Sequence, residues 1–247
     1  MACRRCAVTS VLVGLDAAVL RELNSLVGGS WSLDQVILEV RTNPIFKGIV
    51  PMMMLWGLWF GGAAEGMARN CLRAQLLATV LVACAAIAIG RALALWLPFR
   101  LRPIHTEGLA LKTPQGFDAA GTLDGWSSMP SDHAVLFFAL ATGIFAVHRT
   151  LGSLAFLHAA MVVSLPRVVV GVHYPSDILV GALAGVTVAA LLGPVFVALT
   201  LRWGLLAQER ARPGLFYALM LAVTFQVASI FDSLRALLGT VAEILLA

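Results

Sequence analysis

Three short blocks of the chain gather the residue types that can move a phosphoryl group. The first is Pro98-Phe99-Arg100-Leu101-Arg102-Pro103. The second is Pro130-Ser131-Asp132-His133. The third runs from Pro166-Arg167 through His173 to Asp177. A helix opening at Ser131 would turn the free backbone N–H groups of Asp132 and His133 outward, which makes an anion site. Nearby arginines add forked cationic donors, and a tetrahedral oxyanion such as phosphate is their natural ligand. A carboxylate at Asp177 that accepts from one ring nitrogen of His173 would leave the other nitrogen nucleophilic. His133 is suited to protonate a departing oxygen. The set reads as phosphoryl transfer through a phosphohistidine, with arginine and helix N–H groups in the role of a metal ion. No metal and no other cofactor is expected.

Charged groups are expensive beside lipid, and the chain that carries these blocks is lipid-like. Of its 247 residues, 60% are hydrophobic and 12% charged, against about 25% charged in a typical soluble domain. Mean hydropathy is +0.91. This composition excludes a soluble globule and a disordered chain. The 4 cysteines lack the spacing of a zinc module or a disulfide scaffold. Net charge is +4, but no basic stripe points to a nucleic-acid partner. The class expected is an all-α polytopic membrane helix bundle.

A span needs roughly 20 mostly apolar residues. Six segments qualify or nearly so, at 46–64, 75–97, 134–147, 151–166, 178–201 and 214–231. They form one domain over 46–232. Residues 1–45 read as an amphipathic N-terminal segment, because 11–27 carries Asp16, Arg21 and Glu22 and 32–42 opens on a capping box, Ser32 with Gln35. The same charges argue against a cleaved leader and against a seventh span over 8–28. Residues 233–247 read as an amphipathic tail. Arg69, Arg73, Arg149, Arg202, Arg210 and Arg212 fall in connectors on one face, which the positive-inside rule makes cytoplasmic. The three chemical blocks then lie on the opposite face, at the outer edge of a membrane that the composition suggests is a bacterial inner membrane.

In order and spacing, the three blocks resemble the type-2 phosphatidic acid phosphatase family, the PAP2 lipid phosphatases. The family pattern is K-x6-R-P, P-S-G-H and S-R-x5-H-x3-D. Here Arg102 and Pro103 match the first, Pro130, Ser131 and His133 the second, and Arg167, His173 and Asp177 the third. The resemblance implies His173 as nucleophile, Asp177 as its orienting partner and His133 as general acid. It implies a phosphate site of Arg102, Arg167, Ser131 and the amides of Asp132 and His133. Three positions depart from the pattern: Leu95 stands where lysine is expected, Asp132 where glycine is expected and Pro166 where serine is expected. Arg91 and Arg100 flank Leu95, and either could replace the lost charge.

The implied substrate is a lipid phosphate or diphosphate. Polyprenyl diphosphate, phosphatidate and phosphatidylglycerol phosphate all fit, with undecaprenyl diphosphate favoured by the outward-facing site. Readings from other classes are a phosphoryl transferase between lipids, as in lipid A modification, and a non-catalytic anion-binding membrane protein. Taken singly, His173 reads as a structural histidine at a helix end and Asp177 as a helix cap; the three blocks together favour the chemical reading.

Overall fold

In lipid, backbone N–H and C=O groups must pair within their own segment, so long apolar runs become helices. A computed structural model of the chain describes residues 4–61, 66–123 and 125–232, with side chains from residue 14 onward. The described residues are helical with intervening loops and no strand. The helices are α1 (Arg4–Asn24), α2 (Trp31–Thr42), α3 (Ile45–Gly61), α4 (Gly66–Trp96), α5 (Asp132–Val147), α6 (Arg149–Val169), α7 (Pro175–Arg202), α8 (Leu205–Ala211) and α9 (Pro213–Ala228). The tail expected at 233–247 lies outside the described residues.

Helix α5 is the centre of the bundle, packed by α4, α6 and α7. Its Ala134, Val135, Leu136, Leu140, Ala141 and Ile144 are fully buried. Helix α7 approaches it through glycines. A Cβ on Gly185 would stand 2.2 Å from the Val135 carbonyl oxygen, and one on Gly181 would stand 2.8 Å from that of Ser131. Small residues at a helix crossing let backbones meet, as is common in membrane bundles. The other face of α7 exposes Leu179, Leu183 and Leu191, as a lipid-facing surface should.

Among the described residues, α4, α6 and α7 are long and apolar enough to cross a membrane. A fourth span arises if α2 and α3, bent by 53°, count as one. The expected six is therefore not matched by length and composition. Helices α5 and α9 have 16 residues each, about 24 Å at 1.5 Å per residue, short of a core about 30 Å thick. Helix α4 also begins earlier than expected. Arg69, Cys71 and Arg73 sit on it rather than in a connector.

Two helices open into π turns. Residues Ile45–Ile49 precede Pro51, and Ala159–Ser164 precede Pro166. Proline has no N–H for the preceding turn and its ring crowds it, and a widened turn relieves both. Each π turn places a cation. Lys47 lies within the first, and Arg167 follows the second.

The N-terminal helices are fastened to the bundle and to the long loop between α4 and α5. Asn24 Nδ2 donates to the carbonyls of Lys112 (3.0 Å) and Val169 (2.9 Å). The Asp34 carboxylate accepts from the amides of Gly28 (3.0 Å) and Gln115 (2.9 Å). The capping box expected at Ser32 is absent. Helix α2 starts at Trp31 after Ser30, and Gln35 reaches across to the Gln115 carbonyl at 2.8 Å instead.

Candidate active site

His173 sits in the short link between α6 and α7. The link turns at Gly171, whose φ of +80° suits glycine, and a Cβ there would come within 2.9 Å of Leu111. The turn folds the amides of Val172 (3.0 Å) and His173 (3.3 Å) back onto the Arg167 carbonyl. Pro175 then starts α7 at the position where a missing N–H costs nothing. Arg167, His173 and Asp177 are thus tied into one backbone unit.

The surroundings of His173 settle which ring nitrogen carries the proton. Nδ1 lies 2.8 Å from the Ser128 carbonyl oxygen, which can only accept. Nε2 lies 3.3 Å from an Arg102 guanidinium nitrogen, which can only donate. Nδ1 therefore holds the hydrogen and Nε2 holds the lone pair. Burial lowers the His173 pKa from its ordinary value, an effect larger than the opposing pull of the Asp177 carboxylate, and nearby Arg102 lowers it further. The ring is neutral at neutral pH, in the tautomer that a nucleophile at Nε2 requires.

Asp177 is fully buried at the third position of α7. Its Oδ2 accepts from the Tyr174 amide at 2.7 Å and from the Ser128 hydroxyl. It stands 3.6 Å from His173 Nδ1, so the direct hydrogen bond to the ring belongs to the Ser128 carbonyl. Asp177 positions the ring through its charge and by holding Ser128. Its Oδ1 accepts from Arg100 at 2.6 Å.

Arg100 is consumed by this support. It also donates to Ser176 Oγ (2.7 Å) and Asp16 (2.7 Å), and it stacks at 3.9 Å over the Tyr174 ring. It does not line the cavity described next. Asp16 in turn receives the Ser176 amide at 2.9 Å, so α1 buttresses the start of α7.

A cavity of about 470 Å³ opens beside His173. Arg91, Arg102, Asp132, His133, Arg167 and His173 all line it. Arg102 is buried, and burial lowers its pKa to about 10, so it stays cationic at neutral pH. It also binds the carbonyls of Val172 (2.8 Å), Ser127 (3.2 Å) and Trp126 (3.2 Å). Arg167 donates to the carbonyls of Val163 and, at 3.0 Å, Arg41. Asp132 pairs with Arg91 at 2.8 Å, and Arg91 lies 4.1 Å over the Trp126 ring. The carboxylate that replaces glycine in the second block thereby has a cation of its own. Ser131 is fully buried against Gly181 and its amide donates to the Asp177 carbonyl at 3.2 Å. It does not line the cavity. Leu95 is 87% exposed.

The cavity also has walls that the three blocks do not include. Arg41, Thr42, Lys47, Asp232 and Trp126 line it, and Ser128 holds both His173 and Asp177. The one legible signal among these was Lys47, a lysine inside an otherwise apolar segment. Among the described residues no group of three or more His, Cys, Asp or Glu is arranged to hold a metal ion. An unprotonated imidazole nitrogen in the wall of a cavity lined by several cations suits attack on a phosphoryl centre whose negative charge those cations balance.

Over 60 residues the chain is 47% identical to "Bacitracin transport permease protein BcrC" of Bacillus licheniformis, which covers 24% of this chain and 29% of that protein. Over 58 residues it is 40% identical to "Putative undecaprenyl-diphosphatase YbjG" of Escherichia coli (strain K12), again 24% of this chain and 29% of that protein. The matched stretch is under a third of either relative. No solved structure matches the chain significantly. The model of the PAP2 superfamily matches residues 72–201, more than half of the chain and the whole of the three blocks, and the protein is a member of that superfamily.

Proposed function

We propose that the protein is a membrane lipid phosphatase that acts on a lipid phosphate or diphosphate through a phosphohistidine at His173. Nε2 attacks the phosphorus, the bond to the leaving oxygen breaks, and His133 gives that oxygen its proton. Water then attacks the phosphohistidine, with His133 now accepting the proton, and inorganic phosphate leaves. Arg91, Arg102 and Arg167 face the phosphoryl oxygens and balance their charge. Asp177, Ser128 and Arg100 hold the ring.

The observation that carries this reading is the fixed tautomer of His173, with its lone pair toward the cationic cavity. A relative named as an undecaprenyl-diphosphatase supports a polyprenyl diphosphate as the substrate, and the charge pattern of the connectors supports a site on the outer face of a bacterial inner membrane. The chemistry needs no metal ion.

The test is phosphate release by purified protein in detergent with EDTA present. Undecaprenyl diphosphate, phosphatidate and phosphatidylglycerol phosphate are offered in parallel. Release from at least one, lost in His173→Ala, supports the reading; release abolished by EDTA overturns its metal-free step. Radiolabel transferred to a second lipid instead of to free phosphate would make the protein a transferase.

A further inference from the structure

The cavity has two cationic groups of different origin. Arg91 and Arg102, with Arg167, come from the segment that matches the family. Arg41 and Lys47 come from α2 and the π turn of α3, outside it. The second group is costly to build. Lys47 is 4% exposed, and both Lys47 and Arg167 lie within electrostatic reach of Arg41. Like charges buried together are unfavourable unless an anion compensates them.

The carboxylate present there is Asp232, 3.4 Å from Lys47, with a side chain 56% exposed. One half-exposed carboxylate faces three cations. Arg41 also keeps an unspent donor: its Nε is buried with no hydrogen-bond partner among the described residues. A buried donor of that kind costs free energy until an acceptor reaches it. Among the described residues that line the cavity, five cations, Arg41, Lys47, Arg91, Arg102 and Arg167, face two carboxylates, Asp132 and Asp232. That excess exceeds the charge of one phosphate monoester, about −2.

We infer that Arg41 and Lys47 form a second phosphoryl-binding subsite, which takes the inner phosphoryl group of a lipid diphosphate while the terminal group lies at His173. This rests on the phosphatase reading given above and adds to it the residues that select diphosphate over monophosphate. Arg167, which touches Arg41 and also acts on His173, joins the two subsites. The cation absent at Leu95 is thus made up for by Arg91 close by and by Arg41 and Lys47 remote in sequence.

The test compares farnesyl diphosphate with farnesyl monophosphate in detergent, on wild type, Arg41→Gln and Lys47→Met. Loss of one charged hydrogen bond to the inner group should lower the diphosphate-to-monophosphate ratio of kcat/KM by about tenfold in each variant. Monophosphate turnover on the same preparation reports that the site has folded. An unchanged ratio in both variants overturns the inference. Titration calorimetry with inorganic pyrophosphate and orthophosphate gives a readout independent of turnover. Pyrophosphate should bind wild type more tightly than orthophosphate, and the preference should shrink about tenfold in either variant. A wild type that hydrolyses neither lipid sinks the phosphatase reading, while the calorimetric preference still decides the subsite. A preference for pyrophosphate that survives both substitutions sinks the subsite alone.

Discussion

Both ends of α4 bury an arginine network, and the two differ in one respect. Near its start, Arg73 pairs with Glu209 and reaches the Trp59 carbonyl at 3.5 Å. Glu209 also accepts from Tyr217 at 2.6 Å, and the Tyr217 hydroxyl accepts from Trp59 Nε1 at 3.2 Å. The chain of bonds returns to the residue where it began. Near the other end, the bonds run from Asp16 through Arg100, Asp177 and Ser128 to His173 and on to Arg102, and the last two line a cavity. Buried charge is therefore not what marks the active end. The mark is a network that ends on side chains lining a cavity instead of returning on itself.

The contrast is sharpest where one substitution is made in each network. His173→Gln should reduce phosphate release by about a thousandfold or more, because it removes the nucleophile, while the thermal midpoint stays near that of wild type. Retention of a tenth of the activity would end the role given to Nε2. Glu209→Gln should do the reverse. Breaking a buried ion pair costs about 3 kcal/mol, so unfolding should occur at lower temperature or denaturant while kcat/KM is kept. A loss of turnover with no loss of stability would make the closed network part of the active site.

A third test reads the ring itself. The His173 pKa lies below its ordinary value of about 6.5, so the neutral nucleophile persists as pH falls through that value and is lost only in more acid solution. Arg102 contributes to that lowering, so Arg102→Met should raise the pKa and move the acid limb to higher pH. Imidazole titration by NMR checks both signs, and a His173 that titrates above 6.5 would contradict the buried, cation-facing ring. The smallest effect is expected at the family's missing lysine. Leu95 is exposed near the end of α4 and does not line the cavity, and Leu95→Lys should leave kcat/KM within about twofold. A large gain there would mean that position 95 reaches the phosphate.

Much of this was legible before any coordinates. The spacing from Arg167 to His173 to Asp177 is a local property of one turn and the helix after it, and local order survives folding. The motif marked Arg102, but whether Arg100 joins it could not be read, because what decides that is remote: Arg100 is claimed by Asp16 and Asp177, 84 and 77 positions away. Arg41 was hidden for the same reason, its carbonyl meeting Arg167 across 126 positions. The Ser128 carbonyl left no trace at all, since any residue supplies one. Apolar runs announced the helices but not their ends, because hydropathy records what a helix touches and not where it stops. Helix α5 is apolar through burial in protein, and its 16 residues need not match the thickness of a bilayer.

The reach of Asp16 also has a consequence in time. Its partner Ser176 lies 160 residues downstream. At synthesis rates of about 5–20 residues per second, some ten to thirty seconds pass between the two emerging from the ribosome. Arg100, 84 residues on, emerges about halfway through that interval, and the α7 amide only at its end. Helix α1 therefore cannot complete its contacts with the active-site end of the bundle until Ser176 has been made, so the support that Asp16 gives to Arg100 and α7 is among the later contacts to form.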